Sequence, residues 1–130
     1  MKFEIREIST RKEMKRFARF PLKLYKGHPQ YVPTLLTDEI SNILDSPSLA
    51  YCKRKIWIAC DSEDTIVGRV VGIINPRAND LYNNKRVRFG WFDVIEDFEV
   101  AKALINTVAE WGVSEGMTEI HGPLGFNTWN

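Results

Sequence analysis

The sequence has few of the residues that mark disulfide-stabilised, metal-bound or membrane-spanning proteins. Its 130 residues include two cysteines and two histidines. Cys52 and Cys60 have neither metal-ligand spacing nor the density of a disulfide framework, so we expect two packing residues in a reducing cytoplasm and no metal site. No apolar run approaches the roughly eighteen residues that a membrane span requires, and Met1 to Arg6 contains no apolar signal-peptide core.

An excess of charge of either sign is also missing, since 18 Lys and Arg face 17 Asp and Glu and the net charge is +1. A nearly neutral protein has no overall attraction to nucleic acid or anionic lipid. The basic run from Arg11 to Lys26 could meet phosphates, but we interpret it as a solvated helix face and expect no nucleic-acid partner. With 44% hydrophobic residues, residues 1–130 are predicted to form one compact domain.

The amino-terminal part predicts one strand followed by two helices. We expect the strand over Lys2 to Ile8. Thr10 and Glu13 have the spacing of a capping box, which predicts the start of a helix, and Pro21 is expected to break or kink that helix. The apolar spacing within Leu36 to Leu44 predicts a second, shorter helix.

A hairpin and a loop are predicted next. Lys55 to Asp61 and Thr65 to Asn75 are apolar and rich in β-branched residues, and the short polar link between them favours an antiparallel hairpin. Gly68 and Gly72 fall on one face of the second strand, where they leave room for a ligand or, in the interpretation we favour, for a neighbouring helix. The polar stretch Asn75 to Asn84 predicts a loop.

The last third carries the clearest pattern of the chain. An aromatic strand is predicted over Arg86 to Val94 and a short strand over Met117 to His121. Between them, apolar residues recur every three or four positions and include Trp111, which we expect to be a core anchor. Asp97 is a natural N-cap and Gly116 a natural C′ residue of this helix. Strand, helix and strand form a βαβ unit, whose parallel strands leave a ligand crevice at their carboxyl ends.

Short motifs spread along the chain carry a family resemblance. They lie in Phe20 to Tyr25, His28 to Pro33, Val67 to Arg69, Phe89 to Phe92 and Gly122 to Asn127. With the order of the predicted elements, they resemble the GCN5-related N-acetyltransferase (GNAT) superfamily, and more closely the amino-terminal part of a bacterial acetyltransferase-like group. The resemblance implies an α/β fold with a mixed, mostly antiparallel sheet, and acetyl-CoA or another acyl-CoA as substrate with no covalently bound cofactor.

Two features set the sequence apart from the superfamily pattern. Superfamily members continue past the position of Trp129 and Asn130 into a fourth helix and closing strands, so we expect a homodimer or a missing C-terminal domain. The glycine-containing turn that would bind the pyrophosphate of coenzyme A has no glycine and no basic residue here. Instead, Glu96, Asp97 and Glu99 crowd the helix start, which favours a capped structural helix over a tight pyrophosphate site.

The resemblance nevertheless implies that the residues at that turn bind coenzyme A. They are Phe92, Asp93, Val94, Ile95, Asp97 and Phe98. As catalytic candidates, Asp93 and Glu96 lie near the end of the fourth strand, where a base could deprotonate an amine, and His121 ends the fifth strand beside the same crevice. A cap or a structural histidine is the commoner role for such residues.

Two hypotheses about function therefore stay open. In the first, the chain transfers an acyl group from an acyl-CoA to a small-molecule amine. In the second, it is a non-catalytic module that binds another domain or a second copy of itself.

Overall fold

The computed structural model of the protein describes residues 1–24 and 36–122. Five strands are present: β1 (Phe3–Ile8), β2 (Lys53–Asp61), β3 (Ile66–Ile74), β4 (Arg86–Val94) and β5 (Glu119–His121). They form one sheet in the order β1-β2-β3-β4-β5. Neighbouring strands are antiparallel except β4 and β5, which are parallel. The predicted mixed, mostly antiparallel sheet with a βαβ unit is thus confirmed.

Within these described residues, four α-helices flank the sheet: α1 (Arg11–Leu24), α2 (Leu36–Leu44), α3 (Pro76–Tyr82) and α4 (Phe98–Ser114). A short 3₁₀ helix, Pro47–Ala50, follows α2. The first core cluster joins Phe17 and Ile43 of α1 and α2 to one face of the sheet. The second joins Leu104 and Trp111 of α4 to the other face. The sheet is therefore covered on both sides, which explains why every residue of β3 is buried.

Helix α4 has the ends and the buried face that its sequence predicts. The Asp97 side chain caps the first turn, and Gly116, with φ of +83°, follows the C-cap residue Glu115. Trp111 is 9% exposed and packs edge-to-face on Trp57, with 5.8 Å between the ring centroids. The prediction of a core anchor at Trp111 is confirmed.

The two glycines of β3 make room for α4. A Cβ atom at Gly68 would lie 2.7 Å from Cδ1 of Leu104, and one at Gly72 would lie 3.1 Å from the Trp111 ring. Such distances are too short for ordinary van der Waals contact. The preferred interpretation, that these glycines accommodate a neighbouring helix, is confirmed.

Helix α1 continues through Pro21 to Leu24, so Pro21 does not break it. The prediction of a loop over Asn75 to Asn84 was wrong, since residues 76–82 form α3. The start of α3 is stabilised by Asn75, whose side chain accepts a hydrogen bond from the Ala78 N–H, and its end by Asn83 in the left-handed region. The motif from His28 to Pro33 and the residues after Gly122 lie outside the described residues.

Candidate functional site

Strands β4 and β5 lie side by side at the start of β4. Within the described residues, β5 pairs with β4 at three positions, and the last of these pairs is Arg88 with His121. Strand β4 continues to Val94. Gly122 still lies against β4, since a Cβ atom there would be 2.7 Å from the carbonyl oxygen of Phe89. We call the Arg88–His121 pair the crevice apex, because the βαβ unit predicts a crevice at this end of β5.

A β-bulge lies in β4 just past this apex. Two residues of β4, Trp91 and Phe92, stand opposite one residue of β3, Val70. Trp91 has φ of +46°, a conformation that costs a non-glycine residue on the order of 1–3 kcal/mol. Bulges bend a strand and re-aim its groups next to active sites. One weak signal for the bulge is present in the sequence, a glycine at position 90 inside an aromatic strand.

The bulge places aromatic side chains on both faces of the sheet. Phe89 and Phe92 are half-buried against the α4 core and meet edge-to-face, with 5.7 Å between the ring centroids. Trp91 packs against the core formed with α1 and α2. The crevice is therefore bordered by apolar rings, which suit the hydrocarbon part of a ligand.

On the α1–α2 face, a polar cavity reaches the bulge. Its volume is about 740 Å³. It is lined by Ser41, Asn42, Asp45, Ser46, Pro47, Ser48 and Trp91. Arg11 pairs with Asp45 and so balances the carboxylate of this lining. Trp91 borders both the bulge and the cavity. A ligand in the cavity would therefore approach the crevice from the α1–α2 face of the sheet, opposite to the face of Phe89 and Phe92.

Asp93, a candidate base, is joined to a buried arginine. Its Oδ2 atom accepts hydrogen bonds from Arg69 Nε at 3.0 Å and Nη2 at 2.9 Å. Arg69 is 5% exposed, and its guanidinium carbon lies 4.7 Å from the centroid of the Phe17 ring. Such a pairing holds β4 against β3 and α1, and it engages one of the two oxygens of the carboxylate. The geometry favours a positioning role for Asp93.

The turn after β4 uses most of its backbone donors internally. The Ile95 N–H donates to the carbonyl oxygen of Val67 at 3.0 Å. Oδ1 of Asp97 accepts from the N–H groups of Glu99 at 2.9 Å and Val100 at 3.3 Å. A pyrophosphate at this helix start would have to displace the Asp97 carboxylate.

The other residues assigned to this turn lie at its surface or in the core. Glu96 and Phe98 are exposed, Phe98 by 76%. Val94 pairs with Gly68 of β3 and packs on the α4 core. Among the positions carried over from the resemblance, Phe92 lies nearest the crevice apex.

His121 is exposed and lies at the apex, opposite Arg88. Asp93 lies five residues further along β4 than Arg88, or roughly 16 Å at 3.3 Å per residue. The structure therefore does not bring His121 together with Asp93 and Glu96, although all three border the same crevice.

Two findings apply to the described residues alone. No group of three or more His, Cys, Asp or Glu side chains in residues 1–24 and 36–122 has an arrangement suited to a metal ion. No helix in the same ranges is long and apolar enough to cross a bilayer.

Sequence similarity to a known protein extends over most of the chain. No protein-family model matches the chain. Protein YghO of Escherichia coli (strain K12) is 27% identical over 124 residues, which are 95% of this chain and 32% of that protein. The chain thus spans about a third of the length of this relative.

The fold is similar to that of solved acetyltransferases. A GNAT-family acetyltransferase of Staphylococcus aureus Mu50 matches with a TM-score of 0.64 and 18% identity, over 91% of this chain and 70% of that chain. AAC(6')-Iy, solved with a bisubstrate analogue of coenzyme A, matches with a TM-score of 0.63 and 20% identity, over 96% of this chain and 81% of that chain. Together with the order of the sheet and the parallel β4–β5 pair, these likenesses show that the chain has the fold of the GCN5-related N-acetyltransferase superfamily.

Proposed function

We propose that the protein holds the thioester end of an acyl-CoA in the crevice between β4 and β5 and transfers the acyl group to an amine. The observation that carries this proposal is the bulge at Trp91 and Phe92, located just past the crevice apex. A bulge there turns backbone groups of β4 toward the crevice, where they can orient a thioester carbonyl. Phe89 and Phe92 supply an apolar wall for the pantetheine arm.

The transfer needs two ligands that meet at the bulge. The acceptor amine would occupy the polar cavity bordered by Trp91, where Ser41, Asn42 and Ser46 offer hydrogen-bonding groups. Its nitrogen attacks the thioester carbon, a C–N bond forms and the C–S bond breaks. The departing thiolate takes up the proton that the amine nitrogen loses. Holding both reactants in this geometry supplies much of the rate gain of such a reaction.

The role of each candidate acid or base in proton transfer follows from the groups that its side chain already binds. Asp93 is paired with Arg69, so the proposal gives it a positioning role. His121 is exposed at the apex, and Glu96 is exposed at the far end of β4. Either group can receive the proton through water, and His121 is the one that lies at the crevice apex.

A titration with acetyl-CoA, followed by thermal unfolding, tests the proposal. We expect acetyl-CoA to raise the melting temperature of the unmodified chain and to do so less for Phe92→Ala. Leu81→Ala is the matched control, since Leu81 is 75% exposed on α3 and also loses a large apolar side chain. No shift at millimolar acetyl-CoA, or equal shifts for Phe92→Ala and the control, would refute donor binding at the bulge.

A specific observation favours a second candidate, a non-catalytic partner-binding module. Asp97 occupies the helix N–H groups that a pyrophosphate would use, and Glu96 and Glu99 add negative charge there. In the described part of the sheet, β5 is the edge strand, and its residues are exposed. Such an edge can pair with a further strand of a longer protein or with a second copy. Light scattering tests the second-copy form, which predicts a dimer that Ile120→Lys weakens.

A further inference from the structure

The α1–α2 face of the sheet carries two arginines near the crevice apex, with a histidine beside one of them. Arg54, Ile73, Arg88 and His121 are successive register partners across β2, β3, β4 and β5. Register partners point to the same face, and Ile73 belongs to the core under α1 and α2. Arg54 and Arg88 are two strand spacings apart, about 10 Å, with His121 one spacing beyond Arg88.

Arg88 is half-buried and has few acceptors for its donors. Its one hydrogen bond within the described residues is a long one, 3.4 Å from Nη1 to Oδ1 of Asn79. No carboxylate of residues 1–24 and 40–122 forms an ion pair with it, and the nearby Glu119 pairs with Arg86. A guanidinium has five N–H donors. Burial, and then the charge of Arg86, lower the pKa of Arg88, which agrees with a cation that lacks a counter-ion.

Arg54 and Arg77 add to this positive cluster. Arg54 donates one hydrogen bond to the carbonyl oxygen of Ile43 at 3.3 Å, and burial lowers its pKa. The Arg77 guanidinium carbon lies 4.1 Å from the centroid of the Tyr51 ring. Burial raises the pKa of the Cys52 thiol, and the charges of Arg88 and Arg77 oppose that rise. In the described ranges, neither Arg54 nor Arg77 forms an ion pair.

We propose that Arg88, with Arg54 beside it, binds a carboxylate or phosphate group of the acceptor amine. A partly buried cation without a counter-ion is unfavourable, and a bidentate oxyanion matches the fork of a guanidinium. Arg88 is the last residue of β4 that pairs with β5, so a molecule with its amine at the bulge can extend its anionic group to Arg88. The substrate class is then an amine that also carries an anion; this assignment rests on the proposed acyl transfer, whereas the anion site itself does not.

Anion binding is measured first, with inorganic phosphate and with acetate as separate probes. Each is titrated into the unmodified chain while the Nε–H resonance of Arg88 is followed by NMR. We expect phosphate or acetate to shift that resonance. Arg88→Gln should bind the same anion about tenfold more weakly, and Arg88→Lys should recover part of the loss. Arg19→Gln, on the exposed face of α1, removes the same charge and should bind like the unmodified chain.

Either of two results would overturn the proposed anion site. If neither anion moves the Arg88 resonance, or if Arg88→Gln and Arg19→Gln bind both anions equally, there is no anion site at Arg88. Because the resonance is followed in the unmodified chain, the test does not depend on the folding of Arg88→Gln. Arg54→Gln gives a second variant, for which we expect a smaller loss.

Paired acceptors then test the substrate class. With acetyl-CoA as donor, O-phosphoethanolamine is compared with ethanolamine, and β-alanine with β-alaninamide. We expect the anionic member of one pair to have a KM about tenfold lower, and Arg88→Gln to remove that difference while leaving kcat nearly unchanged. Anion binding at Arg88 without any acetyl-CoA binding would refute the acyl-transfer proposal and keep the anion site. Acetyl transfer with equal KM values in both pairs would refute the substrate class alone.

Discussion

Arg69 donates a hydrogen bond from Nη1 to the carbonyl oxygen of Phe17 at 3.2 Å. In an uninterrupted helix this carbonyl would accept from the N–H of residue 21, and residue 21 is a proline that has none. Arg69 therefore supplies the donor that Pro21 lacks, which explains how α1 continues past the proline. The same guanidinium pairs with Asp93, so one residue of β3 connects α1 to β4 beside the bulge.

This connection predicts a large loss of stability when its carboxylate is removed. Asp93→Asn removes a carboxylate charge that pairs with the buried Arg69, and we expect the free energy of unfolding to fall by up to about 3–5 kcal/mol. Asp80→Asn, at an exposed position of α3, is the control and should change it by less than about 0.5 kcal/mol. Urea denaturation at neutral pH measures both. Equal stability of the two variants would mean that the Arg69–Asp93 pair does not hold β4.

A second prediction concerns the core under α4. Trp111→Ala removes a ring that packs on Trp57 and lies over Gly72, and should cost about 3–5 kcal/mol of unfolding free energy. Val113→Ala is the matched control, because Val113 is 71% exposed two residues later in the same helix. Denaturation followed by circular dichroism compares them. A Trp111→Ala variant as stable as the control would place the ring outside the core.

The capping box of α1 predicts a pH dependence. Oε1 of Glu13 accepts from the N–H groups of Ser9 and Thr10, both at 3.1 Å, and these bonds hold the pKa of Glu13 below its ordinary value. A lowered pKa in the folded state means that the stabilisation is present at neutral pH and is lost as the pH falls through that lowered value. Melting temperatures of the unmodified chain and Glu13→Gln should therefore differ most at neutral pH and converge in acid. Parallel curves would show that Glu13 does not titrate with folding.

Much of the fold follows from local patterns in the sequence. Helix α4 has a long apolar period, an Asp cap and a Gly after its end, and each signal acts within a few residues. The helix α3 was missed, although Asn75 and Pro76 form a helix start and Asn83 an end, because a seven-residue polar helix has no apolar period to reveal it.

The site could be predicted less well, because its geometry depends on contacts between distant strands. The βαβ pattern predicts a crevice at the carboxyl ends of β4 and β5, but the bulge at Trp91 is set by the register with β3. Arg69 and Arg88 gain their roles from residues 52 positions away and on neighbouring strands, which no local pattern indicates. The catalytic roles of Glu96 and His121 stay predictions.

Calorimetry with two acyl donors tests the central claim most directly. S-acetylpantetheine has the thioester and the pantetheine arm of acetyl-CoA and lacks its pyrophosphate. If the bulge holds the thioester and the acidic turn repels the pyrophosphate, the unmodified chain should bind both donors weakly and with similar affinity at physiological salt. Replacing Glu96 and Glu99 by glutamine, with the Asp97 cap kept, should tighten acetyl-CoA binding by about two- to fivefold for each carboxylate and leave S-acetylpantetheine unchanged. Tight binding of acetyl-CoA alone by the unmodified chain would contradict the charge argument, and no binding of either donor by either protein would contradict the acyltransferase account itself.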